Sequence, residues 1–222
     1  MSGPSIGVVI PVLNGESYLD AAIQSVLAQT VAPLEVIVVD NGSRDDSATI
    51  AESYGEPVRC LRRPATVGPP RNDGVAATAS ELIAFHDADD IWIADKLERQ
   101  LDALQGMPVP GLVFGEVEEF VSPELDETVT GAPRPAASVP MIQALLLRRD
   151  VFRQIGPFRE DLAMPEIEWL ARARRLGIRE HYVPAVVVRR RRHLSNRSAR
   201  SGQRQDYAHA LLEVLAARRA DP

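Results

Sequence analysis

Short β-branched apolar runs alternate with segments of helical period through the first half of the chain, and this alternation constrains the fold more than any other feature. Ile6 to Ile10 and Val36 to Val39 are strand-length apolar runs, and between them Leu19, Ala22, Ile23, Val26 and Leu27 recur at helical spacing. That is a βαβ unit. Asp45 and Asp46 precede a second helical stretch to about Ser53, and a strand follows near Val58 to Leu61. A helix then covers Asn72 to Ala79, and a buried strand, Leu82 to Phe85, runs into the acidic group Asp87, Asp89 and Asp90. Strands alternating with helices predict an α/β fold with a mostly parallel sheet covered on both faces, and such sheets bind ligands at the carboxyl ends of their strands. Asp40 and Asp87 both occupy that edge.

Farther on, Leu97, Leu101 and Leu104 form a stripe read as core packing. Gly111 to Val121 reads as a strand pair. Ser122 to Pro140, rich in Pro, Ala, Thr and acidic residues without periodicity, reads as a disordered insertion or a mobile loop over the site. Helical stretches are expected around Met141 to Leu147 and Glu166 to Leu176, the latter with Pro165 near its start and Gly177 at its end. A strand through Val183 to Val188 and a final helix near Gln205 to Arg218 complete the reading, and no internal repeat is seen.

A chain of 222 residues, 45% hydrophobic and 25% charged, has the profile of a soluble globular protein large enough for a sizeable core, and one catalytic domain is expected. Its formal charge of -6 and isoelectric point near 5.3 argue against a nucleic-acid partner, so anionic ligands require local basic sites. The single cysteine, Cys60, rules out an intramolecular disulfide and is read as a buried, inert thiol. With no signal-like N-terminus and no apolar run approaching the roughly 20 residues that span a bilayer, a cytoplasmic location is expected, with peripheral membrane contact left open.

The chemistry begins at Asp87-Ala88-Asp89-Asp90. Hard oxygen ligands in that density suit Mg2+ or Mn2+, which bind through carboxylates and substrate phosphates. The same residues are equally suited to cap and charge the start of the next helix. The wider pattern breaks this tie. Val9 to Asn14, Ser25 to Thr30, Val36 to Ser43, Arg71 to Gly74 and Phe85 to Asp90, in that order over roughly residues 5–105, resemble the family 2 glycosyltransferases of the GT-A fold. The resemblance implies a Rossmann-like, mostly parallel sheet with a small antiparallel portion near the active site. It implies one domain over 1–222, with a nucleotide-sugar half at about 5–105, an acceptor and catalytic half at about 106–203 and a C-terminal helix at about 204–222. By the same resemblance Pro11, Val12, Leu13, Asn14, Glu16 and Asp40 would line the nucleotide pocket, although Asp40 by itself also reads as a turn-forming residue before Asn41-Gly42-Ser43. Arg71 and Ala88 would adjoin the nucleotide or diphosphate. Asp87 and Asp89 resemble the family's DXD motif, with Asp89 on the metal and Asp87 on ribose or metal. Asp90 is left as a helix cap.

Met164 to Arg172 resembles the family's acidic pair ahead of a Trp- and Arg-containing helix. Aligned on Trp169, Glu166 takes the place of the base, Glu168 is the fallback, and Pro165 replaces the acidic neighbour. A helix start favours an ionised carboxylate, as a proton acceptor needs, although both glutamates also suit a solvated first turn. Arg189 to Arg192, followed by His193 and Ser195 to Ser198, reads either as a solvated charge run or, by resemblance, as a segment near the donor diphosphate, with His193 toward the metal and Arg191 or Arg192 toward phosphate.

The resemblance therefore implies inverting, metal-dependent transfer from a nucleoside diphosphate sugar, UDP-linked by default, to an unidentified saccharide, lipid, peptide or small-molecule hydroxyl. A homodimer is left open. Pro165 and Asn41 depart from common family patterns and motivate one alternative, a non-catalytic nucleotide-sugar binding module. A nucleotidyltransferase is disfavoured because Pro11 to Glu16 lacks Lys and Arg, and a dinucleotide oxidoreductase because no G-x-G-x-x-G follows the first strand.

Overall fold

A computed structural model describes residues 3–64, 69–107, 111–125, 132–162 and 164–194, and statements about the structure refer to these. The helix expected near 205–218, the segment 195–198 and the C-terminal division at 204–222 lie outside them.

The elements run β1 (Ile6–Val12), α1 (Glu16–Leu27), β2 (Glu35–Asp40), α2 (Ser47–Ser53), β3 (Val58–Arg62), α3 (Pro70–Ala77), β4 (Leu82–Phe85), β5 (Ile91–Trp92), α4 (Lys96–Gln105) and β6 (Gly111–Val121). A 3-10 turn (Ile142–Ala144) then leads into β7 (Leu146–Arg148), α5 (Arg149–Ile155), α6 (Pro165–Arg175) and β8 (Arg179–Arg192). Among the described residues the sheet has eight strands in the order β3-β2-β1-β4-β7-β6-β8-β5. β3, β2, β1 and β4 are mutually parallel, as the βαβ alternation requires, whereas β7 is antiparallel to β4 and β6, and β5 is antiparallel to β8.

Both faces of the parallel strands are buried, and the period of two sorts their side chains. Val8, Ile10 and Val12 of β1 join Leu19, Ile23 and Val26 of α1 in one core layer, while Val9 joins Ile37, Val39 and Phe85 on the opposite face. α3 lies close on that second face because it presents Gly74 there. A Cβ at Gly74 would stand 2.2 Å from Val9 Cγ1.

Three expectations change. Gly111–Val121 is one long strand, not a strand pair, because β7 pairs only with its start and β8 runs parallel along its length past a bulge at Gly115 to Val117. Met141 to Leu147 is not a helix: after the 3-10 turn, Leu146–Arg148 fills the sheet position between β4 and β6, where inter-strand hydrogen bonds outweigh helical propensity. Residues 132–140 return alongside β6, with Val117 and Ala137 exchanging backbone hydrogen bonds at 3.0 and 3.1 Å, so this part is a paired return and not an unattached insertion.

Candidate functional site

The site is built where β1, β2 and β4 end. Val12 pairs with Asp40 across the ends of β1 and β2, and β4 stops at Phe85, two residues before Asp87. The turn that follows folds the acidic group back on itself, so that ligand oxygens of Asp87, Asp89 and Asp90 all lie within 4.8 Å of one another. These residues do not cap a helix. α4 begins only at Lys96, with Asp95 at its N-cap position. Asp90 is instead buried, accepting a hydrogen bond from the Arg191 backbone N–H at 2.9 Å and a longer one from Gln143 at 3.4 Å.

The electrostatics follow from this crowding. Burial, and then the charges of Asp89 and Asp87, push the Asp90 carboxyl well above the usual carboxylate range. Asp87 is also raised, chiefly by burial, with Arg71 pulling the other way. Burial acts likewise on Asp89, but the hydrogen bond and charge of His193 outweigh it and hold this carboxyl below its ordinary value. His193 Nε2 lies 2.9 Å from Asp89 Oδ2, so the structure brings together these two residues 104 positions apart. Hard carboxylate oxygens repelling one another beside an imidazole form a donor set that fits Mg2+ or Mn2+.

Arg71, on the first turn of α3, reaches two carboxylates. Its guanidinium donates to Asp87 Oδ1 and, at 2.9 Å, to Glu166 Oε1. Burial opposes its charge, yet Asp87 and Glu166 raise its pKa above the ordinary value. Arg71, 95 residues from Glu166 in sequence, thereby joins it to the acidic cluster. Its helix, α6, is anchored by the fully buried Trp169, whose ring packs 5.1 Å from Phe158 and 5.8 Å from Phe152 and whose Nε1 donates to Gly156 O at 2.8 Å. Glu168 turns away: it is buried and pairs with Arg172 at 3.2 Å and Arg175 at 3.6 Å on its own helix.

The β1–α1 loop runs along the same edge. Pro11 and Val12 end the strand, Leu13 is exposed, and a Cβ at Gly15 would stand 3.9 Å from that of Ala88, which places the loop beside the acidic cluster. Asn14 and Glu16 bind the neighbouring β2–α2 loop. Asn14 Oδ1 accepts from Arg44 N at 2.8 Å and Glu16 Oε2 from Asp46 N at 3.0 Å, while Asp45 Oδ2 accepts from Glu16 N at 3.0 Å. Asp40, buried, forms the turn its context suggests by accepting from Ser43 N at 3.1 Å. These bonds shape two adjoining loops into one wall.

The basic run separates by strand geometry. Arg189 pairs with Glu118 at 3.0 Å and Arg190 with Glu119 at 3.1 Å on β6, while Arg192 lies 3.7 Å from Glu119. Arg191 faces the cluster, donating to Asp89 O at 3.0 Å. His86 is fully buried beside Trp92, and burial together with Lys96 lowers its pKa to about 3. Cys60 is half-buried, and burial pushes its thiol up. No described helix is long and apolar enough to cross a membrane.

Sequence reasoning left Tyr18 and the inward role of Asp90 unassigned. Tyr18 carried a signal: an aromatic residue in the first turn of α1 that lies off the buried stripe of Leu19, Ala22, Ile23 and Val26. Asp90 carried none, because its partner Arg191 is distant in sequence.

Known proteins resemble this chain in sequence and in fold. The sequence profile described as glycosyl transferase family 2 matches residues 7–131. An uncharacterised glycosyltransferase of Nostoc sp. is 32% identical over 171 residues, covering 68% of this chain and 53% of that protein. Another from Rickettsia prowazekii is 36% identical over 102 residues, covering 46% and 32%. The crystal structure of S. aureus TarS 1-349 in complex with UDP-GlcNAc matches with a TM-score of 0.72 at 18% identity, covering 95% of this chain and 65% of that one. The chain spans between about a third and just over half the length of the first curated relatives it matches. With the family profile matched over more than half its residues and this sheet topology, the chain belongs to glycosyl transferase family 2 and has the GT-A fold.

Proposed function

We propose that this protein transfers a sugar from a nucleoside diphosphate sugar to an acceptor hydroxyl with inversion at the anomeric carbon, using Asp89, Asp87 and His193 to hold Mg2+ or Mn2+ and Glu166 as the base. The observation that carries this is the convergence of the Asp89–His193 and Arg71–Glu166 contacts on one sheet edge, which supports a cation site at the first and a proton acceptor at the second. A divalent cation bound there would neutralise the leaving diphosphate. Pro11, Val12, Leu13, Asn14, Glu16, Asp40 and Ala88 form the wall that receives the nucleotide, and Arg191 adds positive charge at its diphosphate end. Glu166 takes the proton of the acceptor hydroxyl as its oxygen forms the new bond to the anomeric carbon and the bond to the diphosphate oxygen breaks. Glu168 is the poorer candidate because its carboxylate is committed to Arg172 and Arg175. The chain is read as one domain of this activity. UDP is the expected nucleotide, since two TarS structures of like fold are complexes with UDP-GlcNAc and with UDP.

The test is a mass-spectrometric screen of UDP, GDP and dTDP sugars with Mn2+ or Mg2+ present. Asp89→Ala should abolish transfer and donor hydrolysis while the fold persists. Glu166→Gln should keep donor binding and lose turnover by about 100-fold or more. Full activity in either variant overturns that residue's role. Donor binding by the parent without turnover across acceptors would favour the binding-module reading.

A further inference from the structure

We propose that Tyr18 is a positioning residue that clamps His193 and Arg191 against Asp89, making the cation end of the site dependent on the first turn of α1. The proposal rests on the reading of Asp89 and His193 as a cation site. The contacts around this ring support it. The Tyr18 and His193 rings lie 4.4 Å apart between centroids, on the imidazole whose Nε2 meets Asp89. The Arg191 guanidinium carbon lies 5.0 Å from the Tyr18 ring and 4.7 Å from the Phe120 ring, while Arg191 Nε donates to Asp89 O. The Tyr18 hydroxyl donates to Glu124 Oε1 at 2.6 Å, in the turn that follows β6. One side chain thus touches both His193 and Arg191, which meet Asp89, and bonds to a turn 106 residues from it in sequence.

The division of labour is physical. His193 follows directly on β8, which ends at Arg192, so side-chain contacts and not strand pairing orient its imidazole toward Asp89. An aromatic face supplies them, and it favours a nearby guanidinium through its quadrupole. The hydroxyl bond to Glu124 is a further contact of the same side chain. Residues that orient a metal ligand without touching the metal typically carry a 10- to 100-fold effect on metal affinity.

The experiment compares Tyr18→Phe, which keeps the ring and loses the hydroxyl bond, with Tyr18→Leu and Tyr18→Met, which lose the ring in two different shapes. Two readouts are taken on donor-free protein: Mn2+ affinity by calorimetry, and the imidazole proton–nitrogen spectrum of His193 without metal. The ring-less variants should bind Mn2+ about 10-fold or more weaker and show His193 signals moved to those of a solvent-averaged imidazole, while Tyr18→Phe stays within a few-fold of the parent. Parent-like Mn2+ affinity and His193 spectra in a folded ring-less variant overturn the proposal, as does an equal loss in Tyr18→Phe, which would place the effect in the hydroxyl bond. A parent that binds no Mn2+ removes the cation reading, and the His193 spectra then decide alone: unmoved signals in the ring-less variants overturn the clamp.

Discussion

Arg71 joins carboxylates from distant parts of the chain, and its geometry explains more of the site than its charge does. A solvated arginine would contribute a diffuse positive field. This guanidinium, only 13% exposed, instead fixes Glu166 at 2.9 Å while also meeting Asp87. Lysine at this position keeps one charge but places it on a flexible stem without the rigid planar fork that holds two carboxylates in fixed positions. Arg71→Lys should therefore lower kcat more than it raises KM, and Arg71→Met should lower kcat by about 100-fold through misplacement of the base. A steady-state series in donor and acceptor checks this, and a pure KM effect would return Arg71 to a phosphate-binding role. At this scale the sequence was informative through resemblance: Asp87, Asp89, Glu166 and His193 are singled out by the family's motifs, where local pattern alone also allowed a helix cap, a solvated first turn or a charge run. The resemblance also brought His193 toward Asp89, but the pairing of Arg71 with Glu166 was not legible, because it joins residues 95 positions apart.

Close packing of α3 on the sheet brings Arg71 to the edge at all. Gly74 lets the helix approach, since any Cβ there meets Val9 at 2.2 Å and Val39 at 3.2 Å. Gly74→Ala should cost about 1–3 kcal/mol, read from urea unfolding, because both neighbours are β-branched side chains of buried central strands with no room to yield. An unchanged midpoint would mean the helix moves outward without penalty. The helical and strand periods of β1, α1, β2 and β4 were readable in the sequence because each element buries a regular face. Leu146–Arg148 was not, since its strand form comes from the vacant position between β4 and β6. β6 was misjudged for a related reason: an 11-residue strand needs a partner as long as β8 to hold it straight.

Over the whole molecule, the acidic cluster and the candidate base come from different halves, so activity depends on how the halves are pinned together. Asn72 is one such pin. Its side chain donates to Phe158 O at 2.8 Å and accepts from Phe158 N at 2.9 Å, one residue from Arg71 and beneath the aromatic cluster that anchors α6. Asn72→Ala leaves both Phe158 backbone groups without these partners and should cost about 1–3 kcal/mol. Faster amide exchange at Phe158 and a fall in kcat should accompany the loss, and unchanged exchange would show that the aromatic contacts hold the halves alone. The sequence by itself determined the layer architecture and the sheet edge where the acidic cluster sits, because periodicity and strand-end position are local properties, and its motifs carried the resemblance that singled out the candidate site residues. Only the tertiary structure decided that Asp90 turns inward, that Glu168 is committed to its own helix, that Arg71 serves Glu166 and that Tyr18 packs on His193. Those outcomes depend on which side chains meet after the sheet has assembled, and such encounters between distant segments leave no period in the chain.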